Sequence, residues 1–515
     1  MEPHAPPQLS LNLVRNAWSN LLGAAIPALV MLATVPLVVK GLGQAGFGVY
    51  ALVTAIVGYF AVIDINLTAG SVKYIAEHRA RGDHDQVVET LSFGLLIYAA
   101  LGLLGALGLL LTARWLITAV FAVPPALEPE AVSTLRLAAV GFVAGQLQVY
   151  LNSVPQSLMR YDISARVEMV FGTLVPLASV GVLLLGHGLF ELVLLRVAAS
   201  SVHCLVLWRA ILRLLPGFRW RWPRARVRAE LLSFSAYSCM ARLATLSYVH
   251  ADKLIIGALA GVSALAYFTV AATLANRVLG LSFRLSGVLF PAASALAASG
   301  ELVRLDRLYL KATRYVVYLN AAILVLVAVF AYQILLYWMN EDFARHGALV
   351  LAVMALAQFV DSLTSLPSLV NDGMGHPRVS GLFAMARALA GLGIVYAGVA
   401  AWGIDGAAWG HLLGSLVFTT GFLAFVHGRT VPTRLGRLLG QGYAPGLLGV
   451  LLVALAATAA KHWFDPQAWN VVFILGSTVL LLALHGALFV LERDDRRLAW
   501  ACLKACWTRY PAAGG

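Results

Sequence analysis

The chain has 515 residues, of which 60% are hydrophobic and only 12% are charged, and its mean hydropathy is +0.83. This composition excludes a soluble domain of that length, because hydrophobic runs of about 20 residues, each long enough to cross a bilayer, recur from end to end. Lipid offers the backbone no hydrogen-bond partners, so the spans must be helical. The sequence therefore predicts an all-α polytopic membrane protein.

The hydrophobic runs, taken in chain order, predict about 14 transmembrane helices. They lie near residues 16–39, 47–70, 90–113, 131–155, 167–186, 189–212, 231–259, 262–290, 312–337, 347–370, 379–401, 404–426, 443–461 and 470–491. The first 16 residues lack the small-residue cleavage site of a signal peptide, so we expect the first span to be retained.

The net charge of +13 is distributed unevenly between the connections. Lys and Arg cluster in the connections after the even-numbered spans, whereas the other connections carry little beyond Lys40, Arg114, Arg345 and Lys461. The positive-inside rule then places both termini in the cytoplasm, so the expected location is the membrane that bounds the cytoplasm.

The longest basic connection, PGFRWRWPRARVRAE (216–230), mixes Arg with aromatic residues. Such a mixture also occurs in nucleic-acid-binding patches, but this segment joins two spans. We therefore predict a cytoplasmic linker held against anionic lipid headgroups, and no nucleic-acid partner. The tail RLAWACLKACWTRY is typical of a short interfacial helix.

A weak internal repeat divides the chain. VVKGLGQAGFGVYALVTAI (38–56) aligns with LIIGALAGVSALAYFTVAATL (254–274) at an offset of 217, which places Tyr50 on Tyr267. We predict two six-helix bundles related as parallel repeats, with a pathway between them. The predicted domains are 1–215 and 231–442, joined by the linker and followed by two additional spans (443–491) and a cytoplasmic tail (492–515).

The segment from NAWSNLLG to HRARGD (16–83) resembles the first two spans of Wzx-type polysaccharide flippases. In that family the first span contains Asn and ends at a basic residue, which is followed by the motif LG…FGxY. The second span has the pattern L…YF…D and is followed by the motif KYIAE. The family often has DLGL where this chain has DINL (64–67). DKLIIG (252–257) and Tyr267 also resemble the family's seventh and eighth spans.

The resemblance implies membership of the multidrug/oligosaccharidyl-lipid/polysaccharide exporter (MOP) superfamily, whose two bundles face a central cavity that opens alternately to each side. Wzx-type members move undecaprenyl-diphosphate-linked oligosaccharide to the periplasmic leaflet for lipopolysaccharide or exopolysaccharide biosynthesis. Partners implied for this chain are the lipid-linked oligosaccharide, membrane lipids, a polysaccharide polymerase and a chain-length protein.

Four cations in the seventh and eighth predicted spans suit such a cargo. Arg242 and Lys253 are 11 residues apart, which places them on one helical face about 16 Å apart. Arg277 and Arg284 share a face about 10 Å apart. We call these four residues the cation column, and predict that it binds the diphosphate by replacing its hydration shell. The alternative is that Asp252 pairs with one of these cations and merely locks the bundle.

Polar side chains line three other spans. In span 4 the candidate saccharide contacts are Gln146, Gln148, Tyr150 and Asn152, whose amide and hydroxyl groups suit sugars. Interhelical hydrogen bonding is the equal alternative. In spans 2 and 10, stripes on one face follow helical spacing. They are Asp64, Thr68 and Ser71 in span 2, and Gln358, Asp361, Ser365, Ser368 and Asp372 in span 10.

Acidic residues inside spans can couple transport to an ion gradient. Asp64, Asp252 and Asp361 are therefore the ion-coupling candidates, and the sequence does not choose between protons and sodium.

Nothing in the sequence indicates an enzyme or a cofactor. The chain has no P-loop, its four cysteines lack metal-site spacing, and LEPE holds the only acids of the longest periplasmic connection (114–130). A membrane glycosyltransferase or polymerase is the enzymatic rival. Within the superfamily the rivals are a cation-coupled multidrug exporter, in which an acidic cavity is expected, and a lipid II flippase, which shares 14 spans and a cationic cavity.

Overall fold

The computed structural model describes the backbone of residues 7–61, 67–225, 227–229, 231, 250–286, 296, 299–464, 468–493 and 495–497. Side chains are described from residue 26 onward, except at 69, 277–286 and 468 within those ranges. Every regular element in this part of the chain is a helix, as the composition predicts.

The described residues form two compact units, which divide within the eighth predicted span. Unit 1 holds residues 1–269 and 399–404, and unit 2 holds 270–398 and 405–515. Helices α1 to α8 are, in order, Pro7–Phe60, Leu67–Ala80, His84–Trp115, Glu128–Ser157, Tyr161–Leu184, Leu189–Leu214, residues 250–259 and Gly261–Ser286. Helices α9 to α16 are Leu302–Val329, Ala331–Trp338, Glu341–Ser362, Ser365–Gly373, Pro377–Arg429, Leu435–Arg437, Ala444–Trp463 and Ala468–His485.

The number of spans agrees with the prediction. Ten helices in the described ranges are long and apolar enough to cross a membrane. Two of them hold two predicted spans each, because α1 breaks at Gly43 and α13 breaks at Trp402 and Gly403. Gly43 has a φ of 71° and Gly403 one of 59°, a conformation that costs glycine little. The described helices therefore account for 12 of the 14 predicted spans, the seventh and eighth being only partly described, and the protein is a multi-pass membrane protein.

The core of unit 1 forms where α3, α4 and α6 meet. Tyr98 and Tyr150 are fully buried there, with ring centroids 5.1 Å apart. The Tyr150 ring of α4 packs directly on Gly94 of α3. A Cβ atom at Gly94 would lie 2.0 Å from the Tyr150 hydroxyl oxygen. Val227 and Leu231, which follow the sixth span, belong to the same buried cluster.

The basic linker is held by carboxylates of α3. Arg221 pairs with Asp85, and the Arg224 Nε lies 3.1 Å from Oε1 of Glu89, which is 3% exposed. The backbone N–H of Arg224 also donates to Glu89 Oε2 at 3.2 Å. Two linker arginines are therefore neutralised by the protein itself, and contact of the linker with lipid remains a prediction.

In unit 2 the two last spans pack against α9. The Tyr318 side chain of α9 lies against Gly446 and Gly486, and its hydroxyl donates to the Leu482 carbonyl. Beyond the last span, Asp495 accepts hydrogen bonds from Lys311 and Tyr315 of α9. The hydrogen bond from Lys311 lowers the pKa of the Asp495 carboxyl, so the end of the last span is tied to α9 by charge.

The two arms of α13 lie in backbone contact at glycine residues, which have no side chains to separate them. A Cβ atom on Gly406 would lie 1.9 Å from the carbonyl oxygen of Gly398, and one on Gly410 would lie 2.9 Å from the Cα of Val395. Small residues allow such close approach in membrane bundles, where van der Waals packing drives helix association. This contact fixes the distance between the predicted eleventh and twelfth spans.

We expect Gly406→Ala to destabilise the protein by about 1–3 kcal/mol, the usual cost of forcing extra volume into a packed interior. Thermal unfolding of the purified protein in detergent, followed by circular dichroism, measures the effect. Gly393→Ala is the matched control on the same helix, because its added Cβ would meet no atom of the described residues within 4 Å outside the backbone of its own helix turn. Equal melting temperatures for the two variants would contradict the close contact.

Candidate functional site

The cation column is only partly described. Arg242 lies outside the described residues, whereas Arg277 and Arg284 lie in α8, whose helix is continuous from Gly261 to Ser286. Their backbones therefore share one helical face, as the spacing predicts, while their side chains lie outside the description. Whether the column binds a diphosphate remains a prediction.

Lys253 and Asp252 form an ion pair at the start of α7. The Lys253 Nζ lies 3.5 Å from Asp252 Oδ1, and the Lys253 backbone N–H donates to the same oxygen at 2.7 Å. The Asp252 side chain is 6% exposed and that of Lys253 is 19% exposed. This pairing fits the alternative that Asp252 holds a cation in place, and in this arrangement the carboxylate already has a counter-charge.

The two repeat segments pack against each other within unit 1. A Cβ atom on Gly48 would lie 2.0 Å from the Val262 carbonyl oxygen, and one on Gly257 would lie 3.0 Å from the Leu52 side chain. Near the other end of the contact, the His250 ring lies on Gly58. The second arm of α1 is therefore the surface on which α7 and the start of α8 are positioned.

The four saccharide candidates of α4 have different environments. Gln146 is 4% exposed, and Gln148 Oε1 accepts a hydrogen bond from the Ser200 hydroxyl of α6 at 2.6 Å. Tyr150 is fully buried and its hydroxyl donates to carbonyls of α3. The Asn152 Oδ1 is buried without a hydrogen-bond partner among the described residues. Tyr150 therefore serves packing in this conformation, and Gln148 is held between helices.

Asp361, the ion-coupling candidate of α11, lies in a network of charged and polar side chains that the spacing of residues along the sequence did not reveal. Arg387 of α13 pairs with Asp361 and also donates to the Ser415 hydroxyl at 3.2 Å. Ser415 lies on the second arm of the same broken helix. The network therefore joins the predicted tenth, eleventh and twelfth spans. Asp64, the ion-coupling candidate of span 2, lies outside the described residues.

The polar stripe predicted for span 10 is divided by a break in the helix. α11 ends at Ser362 and α12 begins at Ser365, so the stripe does not continue on one straight face. Beyond the break, Asp372 Oδ1 accepts a hydrogen bond from the Ser380 hydroxyl at 2.6 Å, and Ser368 donates to the same hydroxyl. Asp361 therefore belongs to the interior network, whereas Asp372 belongs to the corner between α12 and α13.

Sequence reasoning did not consider several arginines inside predicted spans, and the structure gives two of them defined partners. Arg387 lies in the middle of the predicted eleventh span, and Arg196 lies in the sixth, where its guanidinium is 5.1 Å from the centre of the Tyr50 ring. Such a cation–π contact holds an arginine over an aromatic face. Each arginine lies within an otherwise apolar run of the sequence, and this pattern could have identified both as candidate functional residues.

Residues 38–345 match the model of a family described as polysaccharide biosynthesis proteins. That is more than half of the chain. The chain belongs to this family.

A curated relative supports the same assignment over a short segment. A candidate O-antigen transporter of Shigella flexneri is 33% identical over 93 residues. The aligned segment is 18% of this chain and 22% of the relative, so the chain matches only about a fifth of that protein's length.

Solved structures of MOP-superfamily transporters share the fold of this polysaccharide biosynthesis protein. The lipid II flippase MurJ in an inward closed conformation aligns with a TM-score of 0.73 at 11% identity, covering 91% of this chain and 98% of that one. An inward-facing multidrug resistance MATE transporter aligns with a TM-score of 0.66 at 16% identity, covering 81% and 98%. A MOP-superfamily transporter from Pyrococcus furiosus gives a TM-score of 0.57 at 15% identity, covering 82% and 95%. The resemblance seen in the sequence is confirmed.

The contact between Gln148 and Ser200 allows the two interpretations of α4 to be separated. If it serves only to join helices, Gln148→Leu and Ser200→Ala should each lower the free energy of unfolding by about 0.6 kcal/mol, a typical value for one interhelical hydrogen bond in a membrane protein. Neither should then alter glycan export. If Gln148 contacts the saccharide, export should fall in Gln148→Leu but not in Ser200→Ala. Unfolding of the purified variants and export assays in cells that lack the native protein measure the two effects.

Proposed function

We propose that this protein is a flippase that moves undecaprenyl-diphosphate-linked oligosaccharide from the cytoplasmic to the periplasmic leaflet by alternating access, for surface polysaccharide biosynthesis. The observation that carries this proposal is the family match over residues 38–345, in a chain whose membrane helices retain charged side chains. The curated relative supports a glycan cargo, because it is described as an O-antigen transporter.

The physical requirement of such a cargo is a path for its diphosphate. A charge at the centre of a bilayer costs about 2.5–3.5 kcal/mol on insertion scales, so charged side chains there face protein or water. Lys253, Arg196 and Arg387 are cations of this kind in the described helices. Guanidinium groups form paired hydrogen bonds to phosphate oxygens and can replace its water shell, and the isoprenoid tail can remain in lipid.

The membrane setting follows from the charge of the connections. We place both termini in the cytoplasm, because the basic residues cluster after even-numbered spans. We place the protein in the inner membrane, because that is the membrane whose two leaflets the proposed cargo crosses. In this setting a polysaccharide polymerase and a chain-length protein act on the cargo after it has crossed. The ion-coupling candidates are Asp64, Asp252 and Asp361, of which the last two are paired with cations.

Depletion of the protein in its native cell tests the proposed step. We expect a completed, unpolymerised oligosaccharide to accumulate on undecaprenyl diphosphate in the inner membrane, because its synthesis continues while its transfer stops. Mass spectrometry of extracted lipids measures the intermediate and identifies the glycan. No accumulation, together with new sensitivity to cationic compounds, would assign the protein to drug export instead.

The cation column gives a second test. Arg277→Ala should abolish glycan export while the protein still inserts, because the diphosphate would lose one of its intramembrane counter-charges. Export is measured by surface polysaccharide, and insertion by the amount of protein in isolated membranes. Arg304→Ala is the control, since Arg304 is 72% exposed in a surface pair with Glu301. Unchanged export in Arg277→Ala would contradict the role of the column.

A further inference from the structure

The basic linker folds back onto the end of the sixth span. α6 ends at Leu214, and residues 218–224 form no helix or turn. The Phe218 ring nevertheless packs edge-on against the Trp208 ring of α6, with the two ring centroids 5.4 Å apart. Trp208 lies six residues before the end of α6, which is about 9 Å along the helix axis. The linker therefore begins at the depth of the span end, where lipid headgroups lie, instead of extending away from the membrane.

One side of the linker is attached to unit 1. Pro223 and Val227 are buried, and both the guanidinium and the backbone N–H of Arg224 contact the Glu89 carboxylate. Glu89 is only 3% exposed. A buried carboxylate that receives two hydrogen bonds from one residue, one of them from a charged group, holds that residue firmly. We call Pro223, Arg224 and Val227 the inner face of the linker.

The opposite side of the linker carries two exposed tryptophans. Trp220 is 51% exposed and Trp222 is 67% exposed. Arg221, which lies between them, pairs with Asp85 of α3, and Pro223 is buried. Such alternation is typical of an extended segment, and the proline favours it because it biases the preceding residue away from helix. The two indole rings therefore lie on the side that faces away from unit 1.

The exposed side is also cationic. Arg219 and Arg228 are exposed, and neither pairs with a carboxylate of the described residues. The side chains of Arg221 and Asp85 are 48% and 49% exposed, so they form a surface ion pair, which contributes little stability and can be replaced by another anion. We call Arg219, Trp220, Trp222 and Arg228 the outer face, to which Arg221 is a further cation in reserve.

We propose that the outer face binds the anionic phospholipid headgroups of the cytoplasmic leaflet, and that Arg221 then exchanges Asp85 for a lipid phosphate. Tryptophan rings prefer the interface between membrane and water, and guanidinium groups form paired hydrogen bonds to phosphate. A nucleic acid would have to reach the same face against the negative potential of that leaflet. Because the inner face remains on Glu89, the bound lipid clamps the linker over the core of unit 1. The inference concerns the lipid around the protein and does not depend on the cargo.

Trypsin, which cleaves after arginine, reports directly on the linker. The full-length protein is placed in nanodiscs of phosphatidylcholine, alone or mixed in equal parts with phosphatidylglycerol, and cleavage after Arg219 and Arg221 is followed by mass spectrometry. We expect this cleavage to be about tenfold slower with phosphatidylglycerol, because headgroups bound to several arginines cover them. Cleavage after Arg304 is the internal control for the effect of lipid charge on trypsin, since Arg304 is 72% exposed in a surface pair with Glu301.

Two variants separate the contributions of the rings and of the ion pair. The double variant Trp220→Ser, Trp222→Ser should retain only about twofold protection, because it binds lipid by charge alone. Asp85→Asn should reach half-maximal protection at about threefold less phosphatidylglycerol, because Arg221 no longer has a competing partner. Glu301→Gln is the matched control, since it also neutralises an exposed acid in a surface pair and should leave protection of the linker unchanged.

The opposite results would overturn the proposal. Equal cleavage of the linker in the two lipids, or equal protection of Arg304, would show that the outer face has no preference for anionic headgroups. Protection by a DNA oligonucleotide in neutral nanodiscs, with no effect of phosphatidylglycerol, would assign the face to nucleic acid instead. Unchanged lipid dependence in Asp85→Asn would show that Arg221 does not exchange its partner. If the double variant does not fold, Trp222→Ser replaces it, because that ring is the more exposed of the two. These measurements contain no cargo, so the flippase proposal is decided separately.

Discussion

A charged group within a membrane helix requires a counter-charge, a hydrogen-bond partner or water, and this requirement organises the interior of the protein. Asp252 is compensated by Lys253, its neighbour in sequence, whereas Asp361 is compensated by Arg387 from another helix. The first pair is formed by neighbouring residues of one helix. The second exists only when α11 and the first arm of α13 are correctly packed, so a change in that packing changes the charge that each residue presents.

Close backbone contact is the complementary requirement, because lipid gives apolar helices no strong reason to associate. Unit 1 brings α7 and α8 onto α1 at Gly48 and Gly257, and unit 2 brings the arms of α13 together at Gly398 and Gly406. These positions carry no chemistry of their own. They set the rotation of each helix, and the rotation decides which polar side chains meet.

The sequence was sufficient to predict the helical class, the approximate number of spans and the family, because span length and hydropathy are local properties. The turn at Gly43 could also be anticipated from its glycine-rich segment. The pairing of Asp361 with Arg387 could not, since the two residues lie in different predicted spans whose relative rotation is set by packing. The break after Ser362 also escaped prediction, because Leu363 and Thr364 continue the polar and apolar pattern of a helix. The roles of the cation column and of the α4 amides remain predictions.

The basic linker has a consequence for the order in which the chain is assembled during synthesis. Val227 and Leu231 belong to the buried cluster that also contains Leu207 and Ile211 of the sixth span. The sixth span therefore leaves the ribosome before the residues that cover it. Until the linker has followed and Arg224 has met Glu89, the first six helices present an incomplete core and an acidic side chain that lacks this partner. A chain that stopped within this short stretch would therefore expose apolar side chains that the complete protein buries.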